Sequence, residues 1–146
     1  MAFFNVRVYG ILLNQEREVL LSDEQEGGLK FTKFPGGGME KGEGTLEALK
    51  REFLEECQMD IEIIRHLYTT DFYAPSIFND SQVISIYYLV KNVKEISLKL
   101  KSIPFDFDGQ GDVLQSFRWV PIRMLNPDMV TFPTEKKMVE LLVKEF

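Results

Sequence analysis

The sequence predicts an α/β fold in which a mixed β-sheet lies between helices. Runs rich in Val, Ile, Leu and Tyr, bounded by Gly, Pro and Asn, are typical of β-strands. Two further segments have apolar residues every three or four positions, which is typical of amphipathic helices. Because the strands are interleaved with these helices, we expect a sheet covered on both faces. At 146 residues, the chain is predicted to form a single domain over residues 1–146.

The strand predictions follow the apolar runs in chain order. Strands are expected at residues 4–13, from 19, and at 29–34, 61–72, 83–93 and 117–120, with a weaker strand or an insertion at 96–105. Polar segments rich in Gly, Asn and Asp separate them and are typical of turns and loops. These loops are expected at residues 14–17, 23–28 and 106–112, and a short turn is expected at 121–125.

Two helices are predicted, one after the glycines at 36–38 and one at the C-terminal end of the sequence. Thr45 and Thr134 precede the two periodic segments and are the expected N-cap residues. The expected apolar stripes consist of Leu46, Leu49, Phe53 and Cys57 in the first helix and Met138, Leu141, Leu142 and Phe146 in the second.

The first predicted helix also has three glutamates on one face. Glu52, Glu55 and Glu56 span roughly 100° of the helix circumference, which places their carboxylates within one turn. Like charges at this spacing repel and destabilise the helix unless a cation lies among them. Oxygen ligands suit a hard divalent cation such as Mg²⁺ or Mn²⁺. The segment therefore predicts a metal site, and Ala48 is expected to leave room beside it for an ion or a ligand.

Each of these features has a simpler alternative. Glu52, Glu55 and Glu56 alone would fit a solvated surface helix, but their fixed spacing from a glycine loop and from Glu43 disfavours that interpretation. The glycines at 36–38 would fit a plain tight turn. Three glycines after a proline exceed what one turn needs, so we expect the backbone to approach a ligand closely here.

Residues 37–59 resemble the signature of the Nudix family, which is Gly, five residues, Glu, seven residues, then Arg-Glu-apolar-x-Glu-Glu-x-Gly-apolar. This chain has Gly37, Glu43, Arg51, Glu52, Phe53, Glu55, Glu56 and Met59 in that register. It departs at Gln58, where the family has glycine. A non-glycine residue costs roughly 1–2 kcal/mol in the left-handed geometry that would end the helix there. The resemblance implies a Nudix α/β/α sandwich over essentially the whole chain.

The resemblance also implies the chemistry. Nudix hydrolases cleave the pyrophosphate linkage of a nucleoside diphosphate joined to another group, as in a nucleoside triphosphate, a nucleotide sugar or ADP-ribose. The implied ligands of Mg²⁺, or of Mn²⁺, are the carbonyl of Gly36 and the side chains of Glu52, Glu55 and Glu56. The implied catalytic residues are Arg51, Glu52 and Glu56, with Glu52 also a candidate general base. Gly37 and Gly38 are expected to contact the substrate.

The acidic loop at residues 106–112 offers a further carboxylate. Its segment Asp108-Gly109-Gln110 resembles the Glu-Gly-Gln stretch of MutT-type Nudix members, so Asp108 is a candidate substrate contact. The alternative is a solvated turn.

The sequence does not identify which nucleotide derivative is the substrate. Phe132-Pro133 resembles the purine-pocket region of MutT-type members, but the asparagine expected shortly after it is absent. Pro75 is a weak match to a proline of ADP-ribose hydrolases. The aromatic residues that either stack on a base or belong to the sheet core are Tyr68, Phe72, Tyr73 and Phe78.

Composition limits the partners. A net charge of −6 argues against nucleic-acid polymers, which bind basic patches, and an acidic protein that handles phosphates needs a cation. No apolar run is long enough to span a membrane, and the first residues lack the pattern of a signal peptide. The single cysteine, Cys57, excludes an internal disulfide and suits a reducing compartment. We therefore expect a cytoplasmic monomer or homodimer whose partner is a small nucleotide derivative.

Two other functions deserve comparison with the hydrolase. One is a catalytically inactive, nucleotide-binding or regulatory Nudix module, which usually lacks one or more of the signature glutamates, whereas this chain has all of them. The other is an isomerase of the isopentenyl-diphosphate type, which would need a catalytic cysteine away from the helix. The only cysteine here is Cys57.

Overall fold

A computed structural model describes residues 3–146, and its backbone divides into two compact units. The first unit contains the residues up to Ile11 together with Pro35–Ile96, and the second contains Leu12–Phe34 and Ser97–Phe146. Each unit has a four-stranded sheet and one α-helix, so the predicted α/β class is confirmed. The extent of a single domain over residues 1–146 stays a prediction.

The sheet of the first unit has the strand order β4-β1-β6-β5. Strand β1 (Phe4–Leu12) pairs antiparallel with β4 (Gly36–Gly38), and β5 (Ile61–Thr69) pairs antiparallel with β6 (Gln82–Asn92). Helix α1 (Thr45–Cys57) packs against this sheet. The glycines predicted as a loop therefore form a short edge strand, which places their backbone in a fixed register beside β1.

One face of this sheet is covered by α1. A Cβ atom on Gly10 would lie 2.5 Å from the ring of Phe53, so the glycine lets the helix approach the strand closely. Val90 of β6 lies on the same side, 3.1 Å from that position. Because side chains alternate along a strand, Tyr9 and Tyr87 point to the opposite face. The two faces thus differ in their side chains. Phe53 of the helix packs on the face that includes Gly10 and Val90, and the opposite face includes Tyr9 and Tyr87.

The second unit has a sheet of strand order β3-β2-β8-β7. Strand β2 (Glu18–Glu26) pairs antiparallel with both β3 (Leu29–Lys33) and β8 (Val113–Pro121). The two-residue strand β7 (Leu100–Lys101) runs parallel to β8, which makes the sheet mixed, as predicted. Helix α2 (Pro133–Glu145) follows two short 3₁₀ turns at Ile122–Met124 and Pro127–Met129 and buries Met138 and Leu142. No helix within residues 3–146 is both long and apolar enough to cross a membrane.

Several predicted strand bounds are wrong. β2 continues through residues 23–26, which were predicted as loop, and β8 begins at Val113, ahead of the predicted 117. The cause is their mutual pairing, which runs from Glu18 opposite Pro121 to Glu26 opposite Val113 and satisfies the backbone groups of polar residues. The region predicted at 96–105 as a weak strand or insertion contributes only the two residues of β7.

The predicted N-caps are also wrong. The N-cap of α1 is Gly44, whose N–H donates to Oε1 of Glu47 at 3.0 Å, while the Thr45 hydroxyl is hydrogen-bonded to Tyr88 at 2.8 Å. The N-cap of α2 is Phe132, because Pro133 occupies the first helical position. The predicted cap there, Thr134, is buried and donates to Glu135 instead.

The apolar stripe of α1 is shifted from the prediction. Leu46 is 45% exposed, because it lies in the first turn beside the exposed loop of residues 39–42. Ala48 is fully buried together with Leu49, Phe53 and Cys57. Ala48 therefore packs in the core and does not leave the predicted space for an ion or a ligand.

Candidate functional site

Strand β4 (Gly36–Gly38), called the glycine strand below, lies directly against helix α1 (Thr45–Cys57), called the glutamate helix. A Cβ atom on Gly37 would lie 2.6 Å from the carboxyl carbon of Glu52, so this carboxylate rests on bare glycine backbone. The Glu52 side chain is only 11% exposed. The structure thus brings together Glu52 and the glycines at 36–38, which the sequence assigned to one site.

Arg51 connects the helix to the loop that precedes it. Its guanidinium donates to both carboxylate oxygens of Glu43, at 3.0 and 2.7 Å, and Nη2 also donates to the carbonyl of Gly38 at 3.0 Å. Nη1 donates to Glu52 at 3.1 Å and to Glu55 at 3.3 Å. The hydrogen bond to Glu43 raises the pKa of Arg51, so the group stays charged. This fork-shaped contact fixes the glycine strand, the loop and the helix together.

Glu43 closes the loop between β4 and α1. Besides Arg51, its Oε1 atom accepts a hydrogen bond from the backbone N–H of Glu40 at 2.7 Å. The Arg51 hydrogen bond, followed by that of Glu40, lowers the pKa of Glu43 below the ordinary value of 4.5. A lowered pKa means that ionised Glu43 stabilises the fold above that ordinary value, and this contribution is lost as the pH falls through the lowered one.

We expect the carboxyl group of Glu43 to titrate with a midpoint below pH 4.5, because Arg51 stabilises its ionised form. The NMR chemical shift of the side-chain carboxyl carbon, followed against pH, measures this midpoint. In Arg51→Gln the midpoint should move upward toward the ordinary value. A Glu43 midpoint at or above 4.5 in the parent protein would contradict the assigned contact.

The three helix carboxylates differ in exposure. Glu52 is nearly covered, Glu55 is 59% exposed, and Glu56 is partly exposed. Within residues 3–146, no three His, Cys, Asp or Glu side chains are grouped closely enough to hold a metal ion. Instead, Arg51 offsets the charge of Glu52 and Glu55.

The donor set nevertheless fits a hard cation in its chemistry. All of the candidate ligands are oxygen atoms, and the Glu52 carboxylate already lies against the glycine strand, whose carbonyl groups are further oxygen donors. The predicted metal ligands are Glu52, Glu55, Glu56 and the carbonyl of Gly36, and this assignment stays a prediction.

The departure from the family signature at Gln58 leaves the helix end intact. Gln58 adopts the left-handed conformation, with φ of 50° and ψ of 41°, and its N–H donates to the carbonyl of Phe53. Its side-chain amide donates to the carbonyl of Glu55 at 3.2 Å. These bonds satisfy terminal carbonyls and offset part of the cost of a non-glycine residue in this geometry.

Asp108 lies in the second unit, in an exposed loop. Its carboxylate contacts the ammonium groups of Lys99 and Lys101, each at 2.8 Å. These hydrogen bonds, first that of Lys101 and then that of Lys99, lower the pKa of Asp108 to about 2. The sequence did not indicate the two lysine partners. A role for Asp108 in substrate binding stays a prediction.

The aromatic residues have different positions. Tyr68 lies on β5 and stacks on Tyr87, with ring centroids 6.3 Å apart. Phe72, Tyr73 and Phe78 follow β5 and are 39%, 71% and 51% exposed, so assigning them to the sheet core is wrong.

One contact near the helix start was missed. The hydroxyl of Tyr88, on β6, is hydrogen-bonded to Thr45 at the first turn of α1. The two residues are 43 positions apart, and no local pattern indicates the pairing. Tyr88 therefore ties the sheet to the N-terminal end of the glutamate helix.

Comparisons with known proteins agree with the fold. The model of the NUDIX domain family matches residues 4–142. A MutT protein from Methanosarcina mazei is 19% identical and has a TM-score of 0.71, with 99% of this chain and 96% of that chain covered. A NUDIX hydrolase from Nitrosomonas europaea is 19% identical, with a TM-score of 0.68 and coverage of 94% and 86%.

A third similar structure is that of a protein named for its activity. An ADP-ribose pyrophosphatase from Streptococcus suis is 13% identical, with a TM-score of 0.61 and coverage of 96% of this chain and 90% of that chain. At such identities, these likenesses show the fold alone. A search of curated proteins gave no match.

Proposed function

The chain belongs to the Nudix family, and we propose that it is a Mg²⁺-dependent hydrolase, with Mn²⁺ as a substitute, of the pyrophosphate linkage in a nucleoside diphosphate derivative. Nudix hydrolases act on such pyrophosphate bonds and generally use divalent metal ions. The observation that supports the proposal is the nearly covered carboxylate of Glu52, which rests on Gly37 and is held there by Arg51. This arrangement places negative charge where a phosphate can approach only together with a cation.

We assign four oxygen donors to the ion, namely the carbonyl of Gly36 and the carboxylates of Glu52, Glu55 and Glu56. When bound, the ion supplies screening of the charge on the phosphate oxygens. Arg51 positions this set, since its guanidinium holds Glu52, Glu55 and the Gly38 carbonyl at 3.0 to 3.3 Å. Glu43 in turn fixes Arg51 through two hydrogen bonds. The ligands are thereby held on two elements that cannot separate without breaking this network.

In the proposed reaction, a water oxygen forms a bond to phosphorus while the bond from that phosphorus to the bridging oxygen breaks. Glu52 is our candidate for the base that accepts the proton of the water. Its low exposure limits the number of solvent waters that compete for its carboxylate. Glu56, one helical turn away on the same face, is proposed to act in catalysis with it.

The residues proposed to contact the substrate are Gly37, Gly38 and Asp108. Gly37 and Gly38 have no side chains of their own, which allows a ligand to approach the backbone of this strand closely. Asp108 is proposed as a further contact, which would require its carboxylate to exchange the ammonium groups of Lys99 and Lys101 for a new partner.

The proposed substrate class comprises nucleoside triphosphates, nucleotide sugars and ADP-ribose. The ADP-ribose pyrophosphatase among the similar structures is named for a substrate in this class. We further propose a cytoplasmic monomer or homodimer without a nucleic-acid partner, since the chain is acidic and has one cysteine.

The alternative is an inactive nucleotide-binding module. It is disfavoured because every signature glutamate is present and Arg51 is hydrogen-bonded to three of them, Glu43, Glu52 and Glu55. An isomerase that uses cysteine is disfavoured more strongly, since Cys57 is 1% exposed on the buried side of α1.

A hydrolysis screen in which the nucleotide products are separated by chromatography tests the proposal. The substrates to compare are nucleoside triphosphates, dinucleoside polyphosphates, nucleotide sugars and ADP-ribose, each with and without Mg²⁺. Activity on the best substrate should vanish in excess EDTA and return with Mg²⁺ or Mn²⁺, because the glutamates otherwise repel the phosphates. Full turnover in metal-free buffer would refute the role assigned to the carboxylates, and no turnover of any substrate would favour the inactive module.

A further inference from the structure

A largely buried ion pair lies on one face of the sheet in the second unit. Glu24 of β2 pairs with Lys33 of β3, with 2.9 Å between Oε2 and Nζ, and the two side chains are 16% and 5% exposed. Their opposite charges offset each other, so the pair adds no net charge to this face. A neutral ligand can therefore bind here without leaving an unpaired charge, whereas an ion would introduce one.

The hydrogen bonds of the Glu24 carboxylate all go to one of its two oxygens. Besides its contact with Lys33, Oε2 accepts hydrogen bonds from the Ser22 hydroxyl at 2.8 Å and from the side-chain amide of Gln115 at 3.4 Å. No protein group within residues 3–146 donates to Oε1. Oε1 is also not among the fully covered side-chain oxygens that lack a partner, so it is accessible from the surface. It is therefore an acceptor that can bind an N–H donor of a ligand.

Aromatic rings lie on the same face of this sheet. Phe31 of β3 is the register partner of Glu24, and paired residues of antiparallel strands have their side chains on the same face. The ring of Phe31 contacts that of Phe132, with ring centroids 5.4 Å apart and planes inclined by 54°. Phe31 is buried and Phe132 is half-buried. An aromatic surface beside a hydrogen-bond acceptor favours a planar heterocycle that has N–H groups.

We propose that Oε1 of Glu24 accepts a hydrogen bond from the exocyclic amino group of a nucleobase. Lys33, Ser22 and Gln115 hold the carboxylate by Oε2 and so keep Oε1 directed to the ligand. The choice of a nucleobase rests on the proposed function, whereas the acceptor and its selectivity rest on contacts of the second unit alone. A base with a carbonyl oxygen in place of the amino group would bring two acceptors together and is disfavoured. Glu24 is thus a specificity-determining residue.

Calorimetric titration with nucleosides tests this selectivity apart from the metal ion and the diphosphate. Cytidine, adenosine and guanosine have the amino group, and their counterparts uridine and inosine lack it. The parent protein should bind the best of the amino nucleosides about tenfold more tightly than its counterpart, because a hydrogen bond to a charged acceptor is gained.

Glu24→Gln should abolish or reverse this preference. The three donors around Oε2 should hold the oxygen of the new amide, which places its NH₂ group at the former position of Oε1. Since a donor then replaces the acceptor, uridine or inosine should bind at least as tightly as the amino nucleoside. Glu18→Gln is the matched control, because Glu18 lies at the start of the same strand, and this variant should keep the preference of the parent protein.

A measurement on the parent protein covers the case in which Glu24→Gln does not fold. The NMR signal of the Glu24 side-chain carboxyl carbon should move when the best-bound amino nucleoside is added, and it should stay in place with the counterpart. The corresponding signal of Glu18 should stay in place with both nucleosides.

Equal affinities of the parent protein for amino nucleosides and their counterparts, or no nucleoside binding, would overturn the inference. A parent-like preference in folded Glu24→Gln, or an unchanged Glu24 signal, would overturn it as well. Hydrolysis of nucleotides would in these cases leave the proposed function standing. Conversely, amino-selective nucleoside binding by a protein that hydrolyses no nucleotide would sink the proposed function and leave this site standing.

Discussion

Glu52→Gln is expected to lower kcat by two orders of magnitude or more, which corresponds to roughly 2.7 kcal/mol of barrier. The amide has the shape of the carboxylate, so it should still rest on Gly37, where the carboxyl carbon lies 2.6 Å from an ideal Cβ position. It lacks the negative charge that attracts a cation and the basicity that accepts a proton from water. The measurement is steady-state kinetics on the best substrate at saturating Mg²⁺.

The same substitution should leave the metal-free fold largely unchanged. Arg51 loses one charged partner at 3.1 Å but keeps both hydrogen bonds to Glu43, so we expect the variant to fold. Glu62→Gln removes the same charge from an exposed ion pair with Lys91 and should match the parent protein in kcat. Unchanged turnover of Glu52→Gln, or its failure to fold, would show that Glu52 has a structural role instead.

The core of the site is predictable because its residues are close in sequence. Helical spacing alone places the three glutamates on one face, and the strand-loop-helix order places the glycines before them. The contact between Arg51 and Glu43 spans only eight residues. Local geometry of this kind needs no knowledge of the sheet topology.

The predicted loop at residues 23–28, part of which belongs to β2, shows that local sequence patterns do not predict the structure here. Asp23 and Glu24 are polar residues, which led to the prediction of a loop. In the structure, Asp23 is fully buried and paired with Arg118 at 2.7 Å, while Glu24 pairs with Lys33 at 2.9 Å. The partner of Asp23 lies 95 residues away. Burial of a charge depends on such a distant partner, and local polarity does not reveal it.

Other distant contacts were missed for the same reason. The position of the glycines beside β1 follows from pairing between β1 and β4, which the sequence did not indicate because the glycines were expected in a loop. Lys99 and Lys101 lie at and beside the two-residue strand β7, and no local pattern indicates their contacts with Asp108. The glycine strand is therefore the element whose discovery changes the description of the site most.

Gly37→Ala should abolish most of the activity while the protein stays folded. Gly37 does not have a positive φ, so alanine is compatible with its backbone. The new methyl group would meet the Glu52 carboxylate at 2.6 to 2.7 Å, and this flexible side chain must move aside. A displacement of about 1 Å of a catalytic group costs on the order of a hundredfold in rate. Kinetics and thermal unfolding of the variant check both parts.

The neighbouring Gly36 provides a matched comparison. Its φ is 147°, and a Cβ atom there would lie 2.0 Å from the carbonyl oxygen of Val8, which belongs to rigid backbone. Gly36→Ala should therefore destabilise the fold itself, by about 1–3 kcal/mol or more, through backbone strain. Gly37→Ala should instead lose turnover at a nearly unchanged melting temperature, because only the Glu52 side chain has to yield. If Gly37→Ala turns over substrate at the parent rate, catalysis does not depend on the contact between Glu52 and Gly37.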